Sequence, residues 1–207
     1  MGKKKKSSQK RKKLALIFLE GYTEDVFYKN IFQKYLQGIP KKTKNLKTGT
    51  NINRQIVNEL YHFMSNKSNE IYDLYIYVFI DKEGSRNDIS QFNNKAILKK
   101  LKEYFKCEQI KVIDKIEAII MIESWFFHDL EGICKYIGIS FTDSLKRNYA
   151  NPERLKALDL SKLFKKGNKK KHYKKGDEGF LTSLNIDTIY NNCSDLKEGI
   201  IKIRNNF

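Results

Sequence analysis

The sequence predicts an α/β fold: a mainly parallel sheet flanked by helices, with a helical extension at its C-terminal end. Three observations carry this. Leu14-Ala15-Leu16-Ile17-Phe18-Leu19 is continuously apolar over strand length, the pattern of a central parallel strand buried on both faces. Val26, Phe27, Ile31, Phe32 and Tyr35 then recur at helical spacing, which puts an aromatic stripe on one face. Strand-like stretches followed by helix-like ones appear twice more, as in successive βαβ units.

Taken in order, the first strand ends at Glu20-Gly21, and the helix after it starts at about Thr23, placed to cap its N-terminus. Gly38 and Pro40 close that helix, the basic segment Lys41 to Lys47 suits an edge strand, and Ile52 to Met64 reads as a second helix. Tyr72 to Ile80, rich in aromatic and β-branched residues, is a strand that stops at Asp81-Lys82-Glu83-Gly84. A helix is expected over Ile97 to Phe105, and a further strand over Ile116 to Ile122 that runs into Glu123-Ser124-Trp125. Beyond Asn151-Pro152 the apolar content falls, a lysine-dense loop covers Lys165 to Lys175, and short helices continue to Phe207. The expected organisation is a disordered basic tail over 1–13, an α/β core over 14–140, and a basic helical extension over 141–207 packed on the core.

Composition bounds the function. A chain of 207 residues that is 40% hydrophobic and 13% aromatic has the material for one packed domain. Its 41 basic and 24 acidic residues leave a formal charge of +17, and the first 13 residues hold eight of those charges, leaving +9 on residues 14–207. Such a body concentrates polyanions around itself, so nucleic acid is the expected partner. The tail reads equally as a phosphate-contacting arm or as a solvated one.

Leu14 to Leu19 runs directly into Glu20, which suits a buried strand rather than a secretory signal. No apolar run approaches the roughly twenty residues that span a bilayer. Cys107, Cys134 and Cys193 are far apart, without a CxxC pair, so the expectation is buried thiols in the cytoplasm rather than disulfides or a zinc site. The sequence has no GxxxxGK[ST] phosphate loop and no GxGxxG after a strand. His62, His128 and His172 lack the partners of a nucleophilic triad, and His128 beside two phenylalanines reads as packing, as does Trp125.

Chemistry concentrates at acidic residues after apolar strands. In open parallel sheets, sites gather beyond the carboxyl ends of the strands, where Glu20, Asp81 and Glu123 would meet with Glu24 and Glu83 behind them. Like charges at such spacing share protons or bind cations, and an all-oxygen set suits Mg²⁺ or Mn²⁺. Alternatively each acid only caps a helix or turn, Glu20 at a helix start and Asp81 in a turn with Gly84.

Glu20-Gly21-Tyr22-Thr23-Glu24 after a strand resembles the E-G-x-x-E start of Toprim domains, as in OLD-type nucleases and RloB-like defence proteins. Asp81-Lys82-Glu83 is similar to the Toprim D-x-D element, with Glu83 in place of the second Asp and so one methylene longer. Ile122 to Glu131, Asn151-Pro152-Glu153 and Tyr173-Lys174-Lys175 resemble stretches of an uncharacterised Toprim-like family, extending the likeness over most of residues 14–200.

The resemblance implies a compact Toprim-like core and a Mg²⁺ or Mn²⁺ site formed by Glu20, Glu24, Asp81, Glu83 and Glu123. It also implies phosphodiester hydrolysis, with Glu20 and Glu123 in catalytic roles and Lys174 or Lys175 neutralising developing charge. By the same analogy the chain would be the effector of a phage-defence system, with an ATPase partner protein and a homo-oligomeric assembly as further expectations. The competing reading is a non-catalytic nucleic-acid-binding or assembly module that keeps the Toprim shell. Phosphoryl or nucleotidyl transfer to a small substrate ranks last, since it has no use for a +9 body.

Overall fold

The structure, a computed structural model, describes residues 10–47, 51–82, 91–118, 120–167 and 172–207. The strands among them are β1 (Lys12–Leu19), β2 (Lys41–Asn45), β3 (Tyr72–Asp81) and β4 (Ile110–Ala118). They form one parallel sheet in the order β2-β1-β3-β4. The period-two geometry of a strand sends alternate side chains of β1 to opposite faces. Ala15, Ile17 and Leu19 enter one core with Tyr77 and Phe79, while Leu14, Leu16 and Phe18 enter a second with Leu74, Ile76, Val78 and Ile80. Burial on both faces explains why β1 is continuously apolar. The edge strand β2, Lys41-Lys42-Thr43-Lys44-Asn45, carries the charge that discourages further strand pairing.

Helices α1 (Tyr22–Tyr35), α2 (Ile52–Ser65) and α3 (Asn94–Lys102) connect these strands. α1 packs on the first face through Phe27, Tyr28, Ile31 and Phe32. α2 and α3 cover the second through Ile56, Leu60, Ile97 and Leu101. The chain thus leaves β1 toward β2 across one face and leaves β3 toward β4 across the other. The gap between the ends of β1 and β3 is therefore a topological switch point.

After β4 the chain is helical: α4 (Ile122–Phe126), α5 (Leu130–Ile137), α6 (Asp143–Asn148), α7 (Ala157–Lys165), α8 (Glu178–Ser183), α9 (Ile186–Asn192) and α10 (Ser194–Arg204). Trp125, Phe126, Phe164, Phe180 and Ile200 from these helices fill the same core as α1. α10 closes on β4 at Gly199, where a Cβ would lie 2.5 Å from Ile116 Cγ2. Asn206 Nδ2 donates to Tyr77 Oη at 2.8 Å, tying the last residues to β3. Cys107, Cys134 and Cys193 are free and buried, and no helix among the described residues is long and apolar enough to cross a membrane.

Three expectations shift. The fourth strand runs over Ile110–Ala118, not Ile116–Ile122. Its charged Lys111, Asp114, Lys115 and Glu117, all at partly buried or exposed positions, break the apolar run, while Ile122, buried to 1% exposure, begins α4 instead. The third helix spans Asn94–Lys102 and is capped by the Asn93 side chain, which accepts from the Ala96 amide. In α1 the N-cap position belongs to Gly21, and Thr23 is buried within the first turn rather than capping it.

Candidate functional site

Glu20 follows β1 and Asp81 is the last residue of β3, so the pairing of these strands brings the two acids together at the switch point. Glu20 Oε2 accepts the Asp81 backbone N–H at 3.0 Å, and Asp81 Oδ1 accepts the Ile122 N–H at 2.8 Å. Glu20 thereby ties the end of β1 to β3, and Asp81 ties the end of β3 to the start of α4. Glu24, in the first turn of α1, is 8% exposed and Glu123, in the first turn of α4, 1%. Glu123 therefore reaches the cluster from a helix rather than from a strand end.

The four carboxylates feel one another. Burial, then the negative charges of Glu24, Glu20 and Glu123, hold the Asp81 carboxyl well above the usual carboxylate range, against the opposing Ile122 amide. Burial chiefly pushes Glu24 up to about 7, with Glu20 and Glu123 adding to it and the hydrogen bond of its own backbone and Lys175 opposing. Glu123 Oε1 accepts the Tyr173 hydroxyl at 2.9 Å and lies 3.9 Å from Lys175 Nζ. Glu123 Oε2 is buried without a hydrogen-bond partner. A buried charged oxygen with no donor costs on the order of 1–3 kcal/mol or more unless a water or an ion satisfies it.

These residues suit a hard cation in donor chemistry. Among the described residues no three acidic, histidine or cysteine side chains form a ready-made cage. Mg²⁺ does not require one, since it commonly binds through one or two carboxylates and keeps its remaining waters. The orphaned Glu123 oxygen is the feature that asks for such a partner.

Of the two candidate lysines, Lys175 pairs with the cluster through Glu123, whereas Lys174 is exposed with its backbone carbonyl in a turn to Asp177. Glu83 lies outside the described residues. His128 is half-buried, its pKa lowered by burial, and lines a separate concavity of about 940 Å³ with Lys135, Lys146 and Tyr149. None of the four clustered carboxylates lines that concavity. Asp129 is spoken for structurally: its side chain accepts the Gly132 and Asn185 amides.

Sequence reasoning missed two contributors. In the sequence Tyr173 stands out only as the neighbour of two lysines, yet its hydroxyl is what contacts Glu123. Asn45, at the end of β2, donates to the Gly21 carbonyl at 2.8 Å and steadies the turn after Glu20. No local pattern marks either residue, because both contacts join segments distant in the chain.

The family model for DUF4276, described as a domain of unknown function, matches residues 19–198. The chain belongs to the DUF4276 family. That match takes in all four clustered carboxylates of this DUF4276 chain together with Tyr173 and Lys175. No curated protein matches it. Among solved structures, the DUF4276 chain is similar to the C-terminal region of the Burkholderia pseudomallei OLD protein. The identity is 16% and the TM-score 0.42, over 91% of this chain and 97% of that one.

Proposed function

We propose that this DUF4276 chain is a metal-dependent nuclease of Toprim type that hydrolyses phosphodiester bonds in DNA or RNA. The supporting observation is the gathering of Glu20, Glu24, Asp81 and Glu123 at the β1–β3 switch point, with a buried Glu123 oxygen lacking a partner. The E-G-x-x-E resemblance agrees with it, and a net charge of +17 favours a polyanionic substrate.

Asp81, Glu20, Glu24 and Glu123 would hold the cation, with Glu83 as an additional donor. Bound Mg²⁺ or Mn²⁺ would supply Lewis-acid activation of water and of the scissile phosphate. Glu20 stands at the strand end, where a general acid or base can exchange a proton with the reacting oxygens. Lys175, and Lys174 beside it, supply positive charge toward the phosphate as negative charge develops. In a cell this activity would serve as the effector of a phage-defence system, regulated by an ATPase partner, in the cytoplasm and as a homo-oligomer.

A second reading has its own observation. Glu20 and Asp81 each give an oxygen to a backbone amide, as purely structural acids would, so the shell would also serve a non-catalytic nucleic-acid-binding module. Cleavage of plasmid, single-stranded DNA, tRNA and bulk RNA with Mg²⁺ or Mn²⁺ separates the two. Metal-dependent cutting by the wild type, lost in Glu20→Ala and Asp81→Ala while nucleic-acid binding persists, is the expected result. Binding without cutting in all three proteins would favour the module.

A further inference from the structure

We propose that Tyr173 is the positioning residue of this site, holding Glu123 Oε1 so that Oε2 is presented to a divalent cation. The inference rests on the metal-dependent reading above and assigns a role that neither the motifs nor the family match supplies.

The geometry begins with the two oxygens of one buried carboxylate, which have different surroundings. Oε1 takes the Tyr173 hydroxyl at 2.9 Å and faces Lys175 at 3.9 Å, while Oε2 is buried without a hydrogen-bond partner. Lys175 has a 71% exposed side chain, so solvent screens its attraction. The fixed contact is the phenol. A phenol orients a carboxylate without cancelling its charge, whereas a buried arginine in the same place would neutralise it and compete with a cation.

The Tyr173 ring cannot wander. It packs edge-on against Phe164 and Phe180, with centroids 5.6 Å and 5.9 Å away.

The segment that carries Tyr173 is itself strapped to the turn after β1. Gly176, at φ +72°, lies so close under Tyr22 that a Cβ would meet the ring carbon Cδ1 at 2.2 Å. Tyr22 Oη donates to Glu178 Oε1 at 2.7 Å on the far side of that glycine. Tyr22 opens α1 two residues after Glu20, so the strap ties the segment that carries Tyr173 to the β1 end of the cluster.

The test is Mn²⁺ binding to the full chain, measured by titration calorimetry and by the electron-spin resonance of free Mn²⁺. Wild type, Tyr173→Phe, Glu123→Gln, the double variant and Asp81→Asn are compared. Tyr173→Phe keeps the ring packing and is expected to weaken Mn²⁺ roughly tenfold or more, the usual effect of losing an outer-shell partner. In the Glu123→Gln background the same change should have no further effect, because there is no longer a carboxylate to orient. A merely structural role would weaken binding by the same factor in both backgrounds, and that result overturns the proposal. So does Mn²⁺ binding by Tyr173→Phe as tight as by the wild type, which leaves the nuclease reading standing. Absence of Mn²⁺ binding by the wild type, with Asp81→Asn no different, overturns the cation site and the positioning role together.

Discussion

Glu24 illustrates how a single buried acid couples the site to stability. Its folded pKa is about 7 against an ordinary 4.5, so the fold favours the neutral form. That stability is fully present below about 4.5 and is lost as pH rises through about 7, worth about 3 kcal/mol at most. In EDTA, thermal melts should show the wild type losing stability between pH 5 and 8, with Glu24→Gln losing distinctly less; equal slopes would count against it. At pH 8, Mn²⁺ should restore much of the wild-type loss through preferential binding to the folded state. Glu20 and Asp81 are legible in the sequence because each stands at the end of an apolar run of strand length. Glu123 was legible as an acid but not as a helix residue, since the apolar run before it crosses from the end of β4 into α4.

At the scale of elements, close approach decides more than propensity does. Gly199 sits within α10, where alanine would ordinarily gain about 1 kcal/mol of helix propensity. Its Cβ would instead strike the Cγ2 and Cγ1 atoms of buried, β-branched Ile116 at 2.5 Å and 2.9 Å. Gly199→Ala should therefore lower stability by about 1–3 kcal/mol, as overpacking does, read from the urea midpoint; an unchanged or raised midpoint would show that β4 yields easily. Gly176→Ala combines positive φ with the Tyr22 ring, and it should loosen the strap. The expected sign is faster hydrogen exchange over residues 172–178 while the β1 and β3 amides stay protected. The strands could be read in advance from their two-sided burial. The strap could not, because Tyr22 and Glu178 meet across 156 residues with no shared periodicity.

For the whole molecule, charge sets the association with nucleic acid. With +17 overall and eight of those charges in the first 13 residues, the logarithm of affinity should fall steeply and linearly with the logarithm of salt concentration. Removing residues 1–9 takes away Lys3, Lys4, Lys5 and Lys6, and it should reduce that slope by up to about 0.9 for each lysine that contacts duplex phosphate. Fluorescence anisotropy at several salt concentrations measures it, and an unchanged slope would make the tail a solvated arm. Asp81→Asn should bind nucleic acid at least as tightly as the wild type in EDTA, because it takes away an acidic group and none of the basic ones that contact phosphate.

The sequence by itself determined the α/β class, the buried central strands, the acids at their ends and the basic character of the surface. Those properties follow from local periodicity and composition. The tertiary structure decided that β1 and β3 are neighbours, that Glu123 turns inward from a helix with one oxygen unpartnered, and that Tyr173 holds the other. Strand order and contacts across 50 or more residues depend on how the helices close over the two faces of the sheet, and no short stretch of chain encodes that.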